Sequence, residues 1–206
     1  MRRQLIEELR SKGVSDERVL AAMNRVPRHL FLDSSFESFA YQDKAFPIGS
    51  GQTISQPYTV AFQTEQLALK KEMKILEVGT GSGYQAAVLL EMGCTVYSVE
   101  RQIDLFKTTK KLLERLQYRP VISYGDGYKG MPAYAPFDRI IVTAAAKEVP
   151  KGLLSQLRVG GHMLIPVGPE GEEQRMLQLS RTKQSTIVQK DLGAFRFVPM
   201  LQDKQH

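Results

Sequence analysis

Apolar positions recur at helical spacing early in the chain: Leu5, Ile6 and Leu9 share one face, and Val19, Leu20 and Met23 share another. Gly13 predicts the stop of the first helix, Ser15 the cap of the second and Pro27 its end. From Arg28 to Pro57 the period is lost and turn residues collect, among them Asp43, Pro47, Gly49 and Gly51. A long irregular stretch inside a compact domain is more often functional than idle. Pro57 suits the first turn of a helix that Val60, Ala61, Gln63, Thr64, Leu67 and Ala68 continue.

The pattern then alternates. Short apolar runs at Ile75–Val78, Thr95–Val99, Val121–Tyr124 and Arg139–Val142 read as strands, with helices over Tyr84–Glu91 and Ile103–Leu116 between the first three. A helix after Pro150 ends near Leu157 and leads through Gly160-Gly161 into a strand at His162–Val167. Strands alternating with helices predict an α/β fold: a mostly parallel central sheet, Rossmann-like, with helices on both faces and right-handed crossovers. Met176–Arg181 and Ser185–Lys190, joined by a short polar link, predict an antiparallel hairpin at one edge. The simplest organisation is one domain over 1–206, in which 1–57 is a helical and loop attachment and 73–200 the α/β core.

At 206 residues, with 42% hydrophobic and 24% charged positions, the chain is long enough to bury a core without disulfides or a structural metal. No apolar run is long enough to span a bilayer, and Glu7, Glu8 and Arg10 interrupt any leader-like stretch, so a cytoplasmic location without membrane contact is the expectation. The lone Cys94 excludes an internal disulfide, and His29, His162 and His206 share no metal-ligand spacing; no metal is expected. A net charge of +6 comes from basic residues scattered among acids, and the cluster Lys107–Lys111 reads as a solvated helix face, so no nucleic-acid partner is expected. No heptad pattern or long exposed apolar strand stands out, and a monomer is the expectation.

The turn Glu77-Val78-Gly79-Thr80-Gly81-Ser82-Gly83-Tyr84 follows a strand and opens a helix. Gly79 allows a tight turn, Gly81 a close ligand approach and Gly83 close entry into the helix; alone, such a turn is as readily structural as functional. The next strand ends in Glu100, about 20 residues on, where nucleotide-binding units of this geometry place a ribose-binding acid. A third strand leads to Asp126 and Gly127 at the same carboxyl edge. The third glycine comes one residue early for a dinucleotide fingerprint and no Gly-Lys-Ser or Gly-Lys-Thr follows, which favours an adenosine cofactor without a pyrophosphate, S-adenosyl-L-methionine being the obvious candidate.

Residues 75–84 resemble the first motif of class I S-adenosylmethionine-dependent methyltransferases. The segment Ile48-Gly49-Ser50-Gly51-Gln52-Thr53-Ile54-Ser55-Gln56-Pro57 resembles the signature of one family among them, the protein-L-isoaspartate O-methyltransferases. Further matches lie at Pro27–Phe31, Ala40–Asp43, Phe137–Ala145 and Arg196–Pro199, so the resemblance spans nearly the whole chain. It implies methyl esterification of the free α-carboxylate of L-isoaspartyl residues in damaged proteins and peptides, an ester that permits repair through a succinimide. It also implies cofactor contacts by Glu77, Gly79, Thr80, Gly81, Ser82, Gly83, Glu100, Asp126 and Gly127, and an active-site role for Ser55.

Thr53 and Ser55 are two apart, so in an extended segment both hydroxyls reach the same site and can hold a carboxylate; they could equally cap the helix that follows. A carboxylate is already ionised at neutral pH, so the reaction needs alignment and exclusion of water more than a base. The loop between Ala40 and Pro57 could close over both ligands. Phe195–Pro199 reads either as part of a peptide groove or as an ordinary terminal strand. Asp138 and His29 are assigned structural contacts, and Cys94 a packing role.

Overall fold

The computed structural model describes residues 1–184 and 186–205; Ser185, which the pattern places at the start of the last strand, and His206 lie outside the described residues. Helices α1 (Arg2–Ser11) and α2 (Glu17–Arg25) bury the apolar faces the spacing predicts. The cap of α2 is Asp16, whose carboxylate accepts from Arg18 N, and not Ser15. Ser15 instead donates both its backbone N–H and its hydroxyl to Glu65, a partner 50 positions away that no local signal announces.

Two short 3-10 turns lead into the hairpin of β1 (Phe46–Gly49) and β2 (Gln52–Ile54), and α3 (Pro57–Gln66) follows with proline in its first turn. The core then alternates as β3 (Lys74–Val78), α4 (Tyr84–Glu91), β4 (Thr95–Glu100), α5 (Ile103–Arg115), β5 (Val121–Tyr124), β6 (Phe137–Val142), α6 (Lys151–Ser155) and β7 (Leu157–Val167). Strands β8 (Gln174–Arg181) and β9 (Ile187–Phe195) close the edge.

The main sheet has the order β5-β4-β3-β6-β7-β8-β9, parallel from β5 to β7 and antiparallel from β7 to β9. Each strand sends alternate residues to opposite layers. Ile75, Ile141 and Leu164 join the N-terminal helices, α3 and α4 on one face, while Leu76, Val78, Ile140, Val142, Met163 and Ile165 build the core on the other. Helix α6 is shorter than expected and β7 begins at Leu157, because Gly160 (φ +78°) bends within a strand instead of ending a loop; the register with β6 slips there.

The chain runs outward from β3 through β4 to β5, then crosses back to β6 on the other side of β3. Ligands of open α/β sheets bind at the carboxyl ends of strands beside such a reversal. The glycine turn after β3 sits at that point.

Candidate functional site

Gly79 leaves β3 at φ +95°, a conformation open to glycine, and its N–H donates to Val99 O at 2.9 Å. A Cβ there would lie 2.6 Å from the Thr143 hydroxyl, which at the end of β6 donates to Gly79 O at 2.7 Å. From α5, Thr109 donates to Gly81 O at 2.6 Å. The Gly81 N–H donates to Glu100 Oε2 at 2.8 Å, and Gln102 N to Glu100 Oε1 at 2.9 Å. Three neighbouring elements thus fix the turn before any ligand arrives.

Over it opens a cleft whose empty space, counted out to its open mouth, is about 800 Å³. Gly79 to Ser82, Glu100 and Gly127 line it, with Val78, Val99 and Met200 as apolar wall and Thr53 and Ser55 opposite. An adenosine cofactor fits these residues. Each Glu100 oxygen uses one acceptor position on a backbone N–H and keeps a lone pair for a hydroxyl, and the apolar wall suits a base.

Three residues expected at the cofactor lie behind the cleft instead. Glu77 is 0% exposed, because strand alternation turns it away from the wall that Val78 provides. It accepts from the Ser98 hydroxyl, which pairs with Thr80 Oγ1 at 2.6 Å, and burial pushes its pKa up to about 8, with the Ser98 bond opposing and Glu100 adding to the rise. Gly83 faces α5: a Cβ would meet Thr109 at 2.8 Å and Leu113 at 2.9 Å, so it serves close packing. Asp126 caps the turn at Gly127–Lys129 by accepting from Tyr128 N at 2.9 Å, which positions Gly127 on the wall.

The opposite wall hangs from a residue that motif reading touched without assigning it a task. Arg28 is 0% exposed. Its Nε donates to Ala40 O at 3.0 Å, and its Nη2 to Ser55 O at 2.9 Å and to Lys44 O at 3.3 Å. The guanidinium carbon lies 4.7 Å from the Tyr84 ring centroid. Burial lowers its pKa from the ordinary value, with Tyr84 and Asp43 acting against that. Asp43 accepts from Tyr58 N at 2.7 Å, Gln56 Nε2 at 2.9 Å and Lys12 Nζ at 2.6 Å. Neither Thr53 nor Ser55 caps α3: its N-cap residue Gln56 makes no side-chain cap and the Tyr58 N–H goes to Asp43, so both hydroxyls remain for the cleft.

A second cavity, about 1510 Å³ to its open side, adjoins the first. Thr53, Ser55, Thr143 and Val198 belong to both. The tail that closes this junction is tied to the segment that follows β6: Ala145 N donates to Val198 O at 2.8 Å and Met200 N to Ala145 O at 2.7 Å. Phe197 is therefore not in a continuing strand; β9 ends at Phe195, and 195–198 line the outer cavity.

Sequence reading also passed over Gln85, which lines the cleft at 7% exposure. Its Nε2 donates to Thr64 Oγ1 at 3.0 Å while its buried Oε1 lacks a partner among the described residues. A polar residue one step inside an otherwise apolar helix start is the signal that could have found it. Elsewhere, His29 Nδ1 pairs with the Tyr41 hydroxyl at 2.7 Å, Asp138 accepts from Lys74 N at 2.8 Å, and burial pushes the Cys94 thiol up to about 11. Among the described residues no helix is long and apolar enough to cross a membrane and no cluster of metal-ligating side chains occurs.

Residues 1–205 match the family described as Protein-L-isoaspartate(D-aspartate) O-methyltransferase. The chain is 59% identical over 204 residues to a protein-L-isoaspartate O-methyltransferase of Christiangramia forsetii, covering 98% of this chain and 95% of the relative. Identity to the Flavobacterium johnsoniae protein of the same name is 57% over 205 residues, covering 99% and 95%. A solved protein-L-isoaspartate O-methyltransferase superposes with TM-score 0.88 at 32% identity, covering 97% of this chain and 65% of that one. A Plasmodium falciparum beta-aspartate methyltransferase crystallised with S-adenosyl-L-homocysteine superposes with TM-score 0.84 at 26% identity, covering 97% and 98%.

Proposed function

Because the chain belongs to the protein-L-isoaspartate(D-aspartate) O-methyltransferase family, we propose that methyl transfer takes place where its two cavities meet, at Thr53, Ser55, Thr143 and Val198. The enzyme uses S-adenosyl-L-methionine to methylate the free α-carboxylate of L-isoaspartyl residues in damaged proteins and peptides, and the ester reopens the route through a succinimide. When bound, the cofactor supplies an electrophilic methyl group on a sulfonium sulfur.

This chain's own residues position and shield. Glu100 accepts ribose hydroxyls on its remaining lone pairs, Gly127 borders the base, and Gly79 to Ser82 cradle the methionine end. Ser55, and Thr53 beside it, donate to the substrate carboxylate and fix one oxygen for attack in line with the methyl carbon and sulfur. No base is called for, since the carboxylate is already ionised. The hairpin tip at Gly49 and Gly51, with φ of +93° and +65° and open space around both, provides a segment able to settle over the bound pair and keep water out. A monomer in the cytoplasm remains the proposed working form.

The observation that carries this reading is the boundary, at Thr53, Ser55, Thr143 and Val198, shared by the cleft over the glycine turn and the outer groove. The test is transfer of labelled methyl groups to an isoaspartyl peptide and to its normal aspartyl twin. Base-labile label on the first and little on the second is expected. Equal labelling of both, or label on another nucleophile, would overturn it.

A further inference from the structure

The outer groove is walled by aromatic rings. Phe62 of α3 and Phe195 at the end of β9 have centroids 4.9 Å apart, Phe195 and Phe197 are 6.5 Å apart, and Tyr58 adds to the row 6.1 Å from Phe62. All four rings pack from behind against the core yet remain half-buried, each lining the cavity. The charged groups on the wall, Arg196 and Glu173, are of opposite sign, so net charge does little to select a ligand there. Half-buried rings facing a concave space gain most when an apolar side chain covers them.

The groove is continuous with the methyl-transfer junction through Thr53, Ser55, Thr143 and Val198. A peptide whose carboxylate is held at Ser55 can extend from there into this groove and across its rings. Resting on the isoaspartyl reading above, we propose that the Phe62–Phe195–Phe197 row is a subsite for an apolar or aromatic side chain directly beside the isoaspartyl residue. The enzyme then favours damage sites embedded in apolar sequence, which are open to it in unfolded or frayed segments.

The test uses isoaspartyl peptides that differ only in carrying phenylalanine or glycine next to the isoaspartyl residue, on either side in turn. On one side the phenylalanine peptide is expected to have a kcat/KM about tenfold higher, expressed mainly in KM. In Phe195→Ala that ratio falls to within about twofold of unity. The glycine peptide serves as internal reference, so a general loss of active enzyme lowers both rates and leaves the ratio readable. Should Phe195→Ala fail to fold, Phe195→Leu, which keeps part of the apolar area, is expected to give a ratio of about three. A ratio near one in the unaltered enzyme, or an unchanged ratio in the variant that folds, overturns the subsite. So does a change in oligomeric state of the variant with selectivity intact, which would assign the rings to a second copy of the chain. Absence of transfer to every isoaspartyl peptide would instead remove the underlying reading.

Discussion

The donor wall at Gly79–Gly83 is tied by short bonds from β4, α5 and the end of β6, whereas the acceptor wall at Gln52–Ser55 hangs from one guanidinium and one carboxylate of the irregular segment that precedes it. On the donor side the turn's own main chain is held from several directions, by the Val99 carbonyl and by the side chains of Glu100, Thr109 and Thr143, so the shape follows from how β4, α5 and the end of β6 pack around it. On the acceptor side Arg28 gathers the carbonyls of Ala40, Lys44 and Ser55, and Asp43 gathers Gln56 and Tyr58. The methyl donor therefore meets a preformed surface, and the acceptor meets a surface whose geometry depends on two buried side chains. Damage to the first should register as lost cofactor binding, and damage to the second as lost turnover.

Gly79→Ala breaks the donor side most severely, since the added methyl lies 2.6 Å from Thr143 Oγ1 at φ +95°. Affinity for S-adenosyl-L-homocysteine, measured by calorimetry, should fall more than about 100-fold as backbone and Thr143 move apart. Retained affinity with lost turnover would reverse the assignment of the two walls. Arg28→Met, of similar length but without donors, strands three carbonyls, each costing about 1–3 kcal/mol when left unpaired. Its midpoint of thermal unfolding should drop, and kcat on an isoaspartyl peptide should fall about 100-fold in the fraction that folds, with S-adenosyl-L-homocysteine affinity within about threefold. Equal losses in both would make Arg28 a support of the whole site and erase the contrast.

A smaller change sharpens it. Ser55→Ala leaves the Arg28 bond to the Ser55 carbonyl intact and removes only the hydroxyl that faces the junction. A hydrogen bond to a charged group is worth about 2 kcal/mol, so turnover should fall about 30-fold with cofactor affinity unmoved. Unaltered turnover would take Ser55 out of the carboxylate site.

The same contrast governs what could be seen in the sequence. The glycine turn, the strand before it and Glu100 after it lie within one β-α-β unit, and their spacing is a local signature of geometry. The mixed sheet was legible for the same reason, from runs of apolar residues and their alternation with helices. The acceptor side was legible through family resemblance, because nothing local to Arg28 says that an arginine after a proline will be fully buried under three carbonyls. The aromatic row was beyond reach for a related reason: Phe62 and Phe195 belong to elements that only the folded sheet edge brings to 4.9 Å. Glu77 shows the opposite failure. It stands beside the turn in sequence, but period-two alternation puts it on the other face of β3.

That buried carboxyl offers the finest probe of the donor side. Its folded pKa, pushed up to about 8, lies above the ordinary 4.5 of the unfolded chain, so between those values the native state holds a proton that the unfolded state has released. Stability must then be fully present below the lower value and decline as pH rises through the window, by about 1.4 kcal/mol for each unit, a tenfold change in the folded ratio. Glu77→Gln keeps an oxygen to accept from Ser98 and removes the titration. Urea unfolding at pH 6 and pH 7 should therefore show the unaltered protein losing about 1.4 kcal/mol relative to the variant, a difference from which all other titrating groups cancel. Parallel behaviour of the two proteins would mean that Glu77 releases its proton at the ordinary value. The donor wall would then carry a charge behind its turn, next to Glu100, and its rigidity would need another source than the neutral Glu77–Ser98–Thr80 relay.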